Sequence, residues 1–366
     1  MKIVLIGGQS IPGIGGIESY MLNLASSLTK LGNEVTLICS SREAYTTDYN
    51  GIEIIHKVCP KSNVIAFPLL FLKSLGYILK NRKNIDIVNF QSIFFAFLPG
   101  WIAAICGCKV YYTIHSLAED NPKHKWYAKI AMKICALISI CACGKNIITV
   151  SNSKATEIKK RYGKKCSVIP CGVTLPIPNP VSEILNRYNI VPNQYYLTIG
   201  RIDPIKNLDT LIKAFIKRDN HNFQLVLAGD YNNNYGKELL HLCQDQQNII
   251  FVGSVMGEDK EYLLKYSFAN CLVSSSEGMP LSLLEAMIYG KPCIVTDIPS
   301  IHEIMKEEWG IWCPVQDIDA ITSQMTSLES NYTDFTQINT DMHNHIMKHH
   351  TWDNIAQKYI NHIKTC

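Results

Sequence analysis

The stretch SSSEGMPLSLLEAMIYGKP sets two carboxylates, Glu277 and Glu285, eight residues apart around a turn and the start of a helix. A strand ending near Ser274 leads to Gly278, which permits a tight turn. Pro280 is tolerated as the first helical residue because the N–H it lacks would be unpaired there. The N–H groups of Met279, Leu281 and Ser282 then point out of the helix start and favour an anion. Glu285 stands one turn beyond Leu281, so one ligand can meet both carboxylates while its phosphates lie on the helix start. The opposite charge comes from TIGRIDPIKNLDTLIKAF, where Gly200 and Arg201 follow a strand and Lys206 precedes a helix that Asn207 can cap. Arg201 and Lys206 can clamp a diphosphate and stabilise the charge that builds on it as a leaving group. Carboxylates accept hydrogen bonds from hydroxyl pairs, so the combination describes a phosphate carrying a polyol at each end, as in a nucleotide sugar. Taken singly, each of these residues also has a plain reading as a solvated charge or a good helix former.

A second loop, at the first strand end, carries Gly7, Gly8, Gly13, Gly15 and Gly16. They do not form G-x-G-x-x-G, and the second strand runs into Cys39, Ser40, Ser41 and Arg42 with no acidic residue for a ribose diol, which counts against NAD. Arg42 could meet a 2′-phosphate, which leaves an NADP-dependent oxidoreductase open. The loop offers close backbone approach and N–H groups at a helix start, suited to a phosphate or a sugar.

The elements that must position these residues are legible as short apolar runs alternating with amphipathic stretches. KIVLIGG, EVTLICS, DIVNFQS, KVYYTIHS, NIITVS and KCSVIPCGV predict the strands of one parallel sheet with helices on both faces. YYLTIG, FQLVLAGD, NIIFVGS, CLVSSS and KPCIVTD predict those of another. The chain is therefore read as α/β, with a Rossmann-like domain over 1–172, a proline-rich linker over 173–192, a second Rossmann-like domain over 193–348 and a terminal helix over 349–366. Two such domains facing each other would place ligands at a central cleft beyond the carboxyl ends of the strands. A length of 366 residues with 47% hydrophobic content supports two full cores. The 14 cysteines lie mostly in apolar runs and are read as reduced and buried, as in a cytoplasmic protein. The apolar stretches 64–79, 93–108 and 130–143 are each shorter than the ~20 residues a membrane span needs.

At these residues the chain resembles a known family. GRIDPIKN with the helix after it, LVLAGD, IIFVGSV and EGMPLSLLEAMIYGKPCIVTD, in that order, look like the donor-binding domain of retaining GT-B glycosyltransferases. These are the group 1, or family 4, enzymes that include bacterial phosphatidylinositol mannosyltransferases, polysaccharide glycosyltransferases and sucrose synthases. PGIGGIE, TIHS and SVIPCGV resemble that family's acceptor-domain loops. The resemblance spans nearly the whole chain and implies a metal-independent transfer, without a cofactor, of a sugar from a nucleoside diphosphate with retained anomeric configuration. By it, Arg201 and Lys206 hold the diphosphate, Glu285 the ribose, and Glu277 the donor hexose and the developing oxocarbenium ion. Gly200, Gly278, Met279, Pro280, Leu281 and Ser282 fall in the donor site, and Gly15 and Gly16 bring backbone N–H groups to the phosphate. His115 meets the hexose, Gly253 to Val255 lie near the base, and Glu18 belongs to the acceptor side. The terminal helix crosses back to the first domain. Two departures stand out: Cys171-Gly172-Val173-Thr174 replaces the usual Asn-Gly-Val-Asp, and Met279 replaces a common Phe. No protein nucleophile stands out, so front-face transfer is expected. The family's prevalence points to UDP-hexose or UDP-N-acetylhexosamine as donor and a glycan or lipid-linked acceptor in bacterial cell-surface polysaccharide synthesis. A catalytically inactive sugar-nucleotide-binding protein of the same fold is the non-enzymatic alternative.

Other clusters carry plainer readings. Asp317 and Asp319 match the spacing of a metal-binding pair but precede a helical stretch that Asp319 can cap. His343, His345, His349 and His350 lack a completing carboxylate or thiolate, and no metal is expected. Charge is divided unequally. Residues 1–175 hold 21 Lys and Arg against 9 Asp and Glu, while the remainder hold 14 against 22. Lys125, Lys129 and Lys133 recur every fourth residue beside Trp126, Tyr127, Ile130 and Ile134, and Lys154, Lys159, Lys160, Arg161, Lys164 and Lys165 follow. This pattern suits an anionic membrane surface at the cytoplasmic face better than nucleic acid, for which stacking aromatics are not interleaved.

Overall fold

The computed structural model describes residues 1–365 except 14, 61–62, 94, 118–125, 219 and 333–335. It divides into two compact units, one of Met1–Gly172 with Trp352–Cys366 and one of Val173–Thr351. Each is a mostly parallel sheet flanked by helices.

In the first unit the strands are β1 (Lys2–Gln9), β2 (Glu34–Ser41), β3 (Tyr45–Tyr49), β4 (Ile52–Val58), β5 (Ile87–Phe90), β6 (Lys109–Ile114), β7 (Ile147–Thr149) and β8 (Ser167–Val168). They lie in the order β3-β4-β2-β1-β5-β6-β7-β8. The helices are α1 (Gly16–Lys30), α2 (Asn63–Asn81), α3 (Phe97–Ile105), α4 (Trp126–Ala142) and α5 (Asn152–Tyr162). Ile3 to Ile6 of β1 are fully buried, as expected of a strand covered on both faces.

One pairing departs from the all-parallel expectation: β3 runs antiparallel to β4. Every residue of β3 is exposed, so no apolar alternation marks it. Its sequence signal is Asn50-Gly51, both at positive φ (52° and 81°), the pair that favours a tight hairpin.

In the second unit β9 (Tyr195–Ile199), β10 (Gln224–Ala228), β11 (Ile249–Gly253), β12 (Ala269–Leu272), β13 (Cys293–Thr296) and β14 (Gly310–Cys313) form a parallel sheet ordered β11-β10-β9-β12-β13-β14. Its helices are α6 (Ile184–Arg187), α7 (Leu208–Lys217), α8 (Asn234–Leu242), α9 (Gly257–Tyr266), α10 (Leu281–Ile288), α11 (Pro299–His302), α12 (Ile318–Ser330) and α13 (Thr336–His349). In α7, Leu208, Leu211, Ile212 and Phe215 recur at helical spacing and are buried. The stretch read as a linker belongs to this unit. Its backbone is tied to α9, Val181 N–H donating to Glu258 at 3.2 Å, and Ile184 and Leu185 are buried.

The last helix, α14 (Trp352–Thr365), starts a few residues later than the sequence pattern suggests and packs on α1 in the first unit. Trp352, Ile355, Ala356, Tyr359, Ile360 and Ile363 form its buried stripe. The Tyr359 hydroxyl accepts from Asn89 Nδ2 at 2.9 Å, and Thr113 Oγ1 donates to Asn89 Oδ1 at 3.0 Å. This buried chain fixes the helix over the centre of the sheet.

The described cysteines are free, but not all are buried: Cys141 is exposed and Cys106, Cys135 and Cys166 are half-buried. Burial pushes the thiol of Cys171 up to about 12, so it stays protonated and inert. No helix among the described residues is long and apolar enough to cross a membrane.

Candidate functional site

In the second unit the chain runs from β9 outward through β10 to β11 on one side, and from β12 through β13 to β14 on the other. The adjacent ends of β9 and β12 therefore form a topological switch point, where open α/β sheets bind ligands. Gly200 and Arg201 leave β9 there. Asp203 accepts from the Ile205 N–H at 3.3 Å and caps a short 3₁₀ turn, Pro204–Lys206.

Asn207 does not cap α7. It sits in a left-handed conformation (φ 49°) and its amide donates to the Val273 carbonyl at 2.9 Å and to Ser275 Oγ at 2.7 Å. With the Ser275 N–H donating to Ile205 at 2.9 Å, these bonds staple the β9 exit to the β12 exit. The staple brings Lys206 to Glu277, 71 positions away, at 2.5 Å, both side chains mostly buried. Arg201 is exposed beside them, with no ion-pair partner among the described residues. Gly200, Arg201, Lys206 and Ser274 line one crevice. The Ser274 hydroxyl is buried without a hydrogen-bond partner among the described residues.

The strand before Glu277 closes at Leu272, and α10 begins at Leu281, one residue after the expected start. Pro280 precedes it in an extended conformation (ψ 107°). The first hydrogen bonds into the helix run from Leu283 and Leu284 to the Pro280 carbonyl, leaving the amides of Leu281 and Ser282 ahead of them.

Glu285 lies on α10 with a partner that the sequence reading missed. Lys260 of α9 bonds it at 2.8 Å. Burial pulls the Lys260 pKa down, but the charge and hydrogen bond of Glu285 outweigh this and hold it above the ordinary lysine value. The signal available was position: Lys260 lies in the first turn of α9, the helix that follows Gly253 and Val255 at the β11 exit. Each carboxylate of the pair thus has its own lysine.

In the first unit β1 and β5 are neighbours and form the corresponding switch point. Gly15 is the extended residue before α1 and Gly16 its first residue. Glu18, expected on the acceptor side, has a structural partner in the glycine loop. Its carboxylate folds under the glycine loop and accepts the Gln9 N–H at 2.6 Å. A Cβ on Gly15 would lie 1.7 Å from it, so any larger residue there would displace the Glu18 carboxylate. Glu18 braces the loop.

His115, after β6, bonds Gln91 through Nε2 at 3.0 Å and meets the Tyr20 ring edge-on with centroids 4.7 Å apart. Burial lowers its pKa to about 4. Because the folded state resists protonation while the unfolded state accepts it near 6.5, His115 contributes stability that is complete above about pH 6.5 and lost as pH falls toward 4. His115→Gln is expected to flatten that segment of the stability–pH curve, which is measured by urea unfolding at stepped pH.

Arg42 is exposed beyond β2. Asp317, rather than Asp319, caps α12, accepting from Ala320 N–H at 2.9 Å, while Asp319 pairs with Lys217. His345 packs against His349, His350 and Trp309. No group of three or more His, Cys, Asp or Glu among the described residues is arranged to hold a metal. Lys125 lies outside the described residues. Lys154 is buried against Glu157 at 2.8 Å, which takes it out of an open basic surface, while Arg161 is exposed and pairs with the same carboxylate.

Residues 182–345 match the sequence model of Glycosyl transferases group 1, and residues 14–175 that of Glycosyltransferase Family 4. The chain is a group 1 glycosyltransferase of GT-B fold. This glycosyltransferase is 28% identical over 344 residues to the UDP-Gal:alpha-D-GlcNAc-diphosphoundecaprenol alpha-1,3-galactosyltransferase of Escherichia coli, covering 88% of the chain and 87% of that protein. Its fold matches sucrose-phosphate synthase from Thermosynechococcus elongatus with TM-score 0.81 at 18% identity, covering 100% and 98% of the two chains. HepE from Anabaena, solved in complex with UDP and glucose, matches with TM-score 0.77 at 17% identity over the whole of both chains.

Proposed function

We propose that this glycosyltransferase is retaining and metal-independent, and moves a hexose or N-acetylhexosamine from a UDP-sugar to a glycan or lipid-linked acceptor of a bacterial cell-surface polysaccharide. The observation that carries the reading is the Lys206–Glu277 pair at the β9/β12 switch point, with exposed Arg201 beside it and the Lys260–Glu285 pair on α9 and α10. Arg201 and Lys206 hold the diphosphate, the amides of Leu281 and Ser282 face its charge, and Glu285 accepts from the ribose hydroxyls. The bond from the anomeric carbon to the phosphate oxygen breaks as the acceptor oxygen bonds on the same face. The acceptor hydroxyl gives its proton to the departing phosphate oxygen, whose charge the two cations carry, while Glu277 faces the positive anomeric centre. His115 meets the sugar as a neutral group. Uridine is favoured by the E. coli relative, named for UDP-Gal, and by HepE, solved with UDP.

The experiment is transfer from a panel of UDP-, GDP- and ADP-sugars to polyprenyl-diphosphate glycans, with the product anomer read by NMR and EDTA present throughout. An α-linked product from an α-linked donor in EDTA supports the reading. An inverted product, or activity that returns only with added divalent cation, overturns it.

The acceptor side of the proposal is a peripheral position on the cytoplasmic face of an anionic membrane. Exposed apolar side chains cluster on α4 (Trp126, Ile130, Ile134, Leu137, Ile138) and α3 (Leu98, Trp101, Ile105). The two helices are tied by Trp101 Nε1 donating to the Ala142 carbonyl at 2.9 Å, and Lys129 and Lys133 stand on α4. Apolar side chains with interleaved cations suit a lipid interface, where the rings and chains enter the headgroup region. The protein is expected to float with vesicles rich in phosphatidylglycerol, less so in high salt, and Trp101→Glu with Ile134→Glu to remain in the pellet fraction. Flotation that is absent, or indifferent to salt, refutes the surface.

A further inference from the structure

The switch point of the first unit contains a buried polar residue that the transfer chemistry above does not use. Gln91 follows β5, and its N–H donates to the Ile6 carbonyl of β1 at 2.8 Å, so its side chain lies under the glycine loop. Gly7 permits this: a Cβ there would stand 2.6 Å from the Gln91 Cβ. The residue is 1% exposed. Its Oε1 faces His115 Nε2 at 3.0 Å, and its Nε2 has no hydrogen-bond partner among the described residues, nor has the Tyr20 hydroxyl beside the same imidazole.

A buried amide left half-satisfied is costly, by roughly 1–3 kcal/mol. Its placement against a histidine at a ligand-binding edge indicates a task other than packing. A carbonyl oxygen opposite an imidazole nitrogen requires the proton on that nitrogen, and a neutral imidazole has one proton to place.

We propose that Gln91 is a positioning residue that fixes His115 in the neutral, Nε2-protonated tautomer, so that Nδ1 presents a lone pair to a sugar hydroxyl. The assignment of the hydroxyl rests on the sugar transfer proposed above; the tautomer does not. A fixed tautomer matters because a ring free to invert its donor and acceptor would meet a hydroxyl with the wrong nitrogen part of the time. The neighbours Tyr20 and Gln91 bring no charge to the ring.

The full-length protein labelled with ¹⁵N-histidine tests this, the His115 resonances being assigned by their loss in His115→Gln. The expected wild-type signature is the Nε2-protonated tautomer. Gln91→Leu is expected to mix the tautomers and lower kcat/KM by about tenfold with kcat least affected, in keeping with one lost hydrogen bond to substrate. Gln91→Glu, which sets a carboxylate against the ring, is expected to draw a second proton onto it and to replace the single-tautomer signature with that of an imidazolium. A wild-type ring protonated at Nδ1, or a Gln91→Leu spectrum identical to wild type, overturns the proposal. Should the leucine variant fail to fold, the wild-type and glutamate spectra still decide. Loss of all transfer activity with the tautomer intact would count against the sugar-transfer reading and leave the positioning role standing.

Discussion

Lys206→Ala is expected to reduce turnover by more than about 100-fold, and Glu277→Ala by a similar factor, as observed for removal of other groups that stabilise transition-state charge. The reason is specific to the pair. Lys206 and Glu277 are 2.5 Å apart and mostly buried, so each is held in place by the other before any ligand arrives. In the proposed transfer they serve opposite charges: the lysine meets the negative oxygen leaving with the diphosphate, and the glutamate faces the positive anomeric carbon. Removing either takes away one transition-state interaction and leaves its partner misplaced. The double variant Lys206→Ala with Glu277→Ala should therefore lose much less than the product of the single losses. Steady-state kinetics with saturating donor decides this, alongside melting curves to confirm folding. A single variant that turns over at the normal rate removes its residue from the mechanism.

Arg218→Ala is expected to cost about 3–5 kcal/mol of stability, the scale on which a buried ion pair fails when one partner is removed. Arg218 bonds Glu329 with both side chains almost fully buried, and its guanidinium lies over the Phe215 ring, 4.0 Å from the centroid. Glu329 also accepts from the Tyr196 hydroxyl at 2.9 Å and from Asn220 Nδ2 at 2.8 Å. Alanine leaves that carboxylate without its cation in an aromatic pocket. A drop in melting temperature of roughly 10 °C is expected for the second unit. Arg218→Met combined with Glu329→Leu should recover much of the loss, because the charge and its desolvation cost vanish together. A loss under about 1 kcal/mol in the single variant would place the pair in the class of solvent-screened ion pairs.

The helices and most strands were legible because their signals are local. Leu208, Leu211, Ile212 and Phe215 announce the buried face of α7 by spacing alone, and the GxP turn before α10 marks a helix start within one residue. The hairpin of β3 and β4 escaped because β3 buries nothing, leaving Asn50-Gly51 as the available cue. Asn207 looks like a helix cap and is a cross-strand staple. Its side chain had a choice between the next helix and the neighbouring strand exit, and the neighbouring exit is visible only in the folded sheet.

The chemistry divides along the same line. The sequence by itself determined which residue types stand at strand ends: Gly200, Arg201 and Lys206 after one strand, Glu277 and Glu285 around the next helix start, His115 after another. That follows from strand ends and helix starts being encoded within a few residues. Tertiary structure alone decided which of these meet. Lys206 reaches Glu277 because β9 and β12 are neighbours at the centre of their sheet, Lys260 reaches Glu285 across two helices, and Gln91 reaches His115 because β5 and β6 are adjacent. Strand order is set by how whole helices and strands bury their apolar faces together, a sum over contacts distant in sequence, so no local pattern contains it.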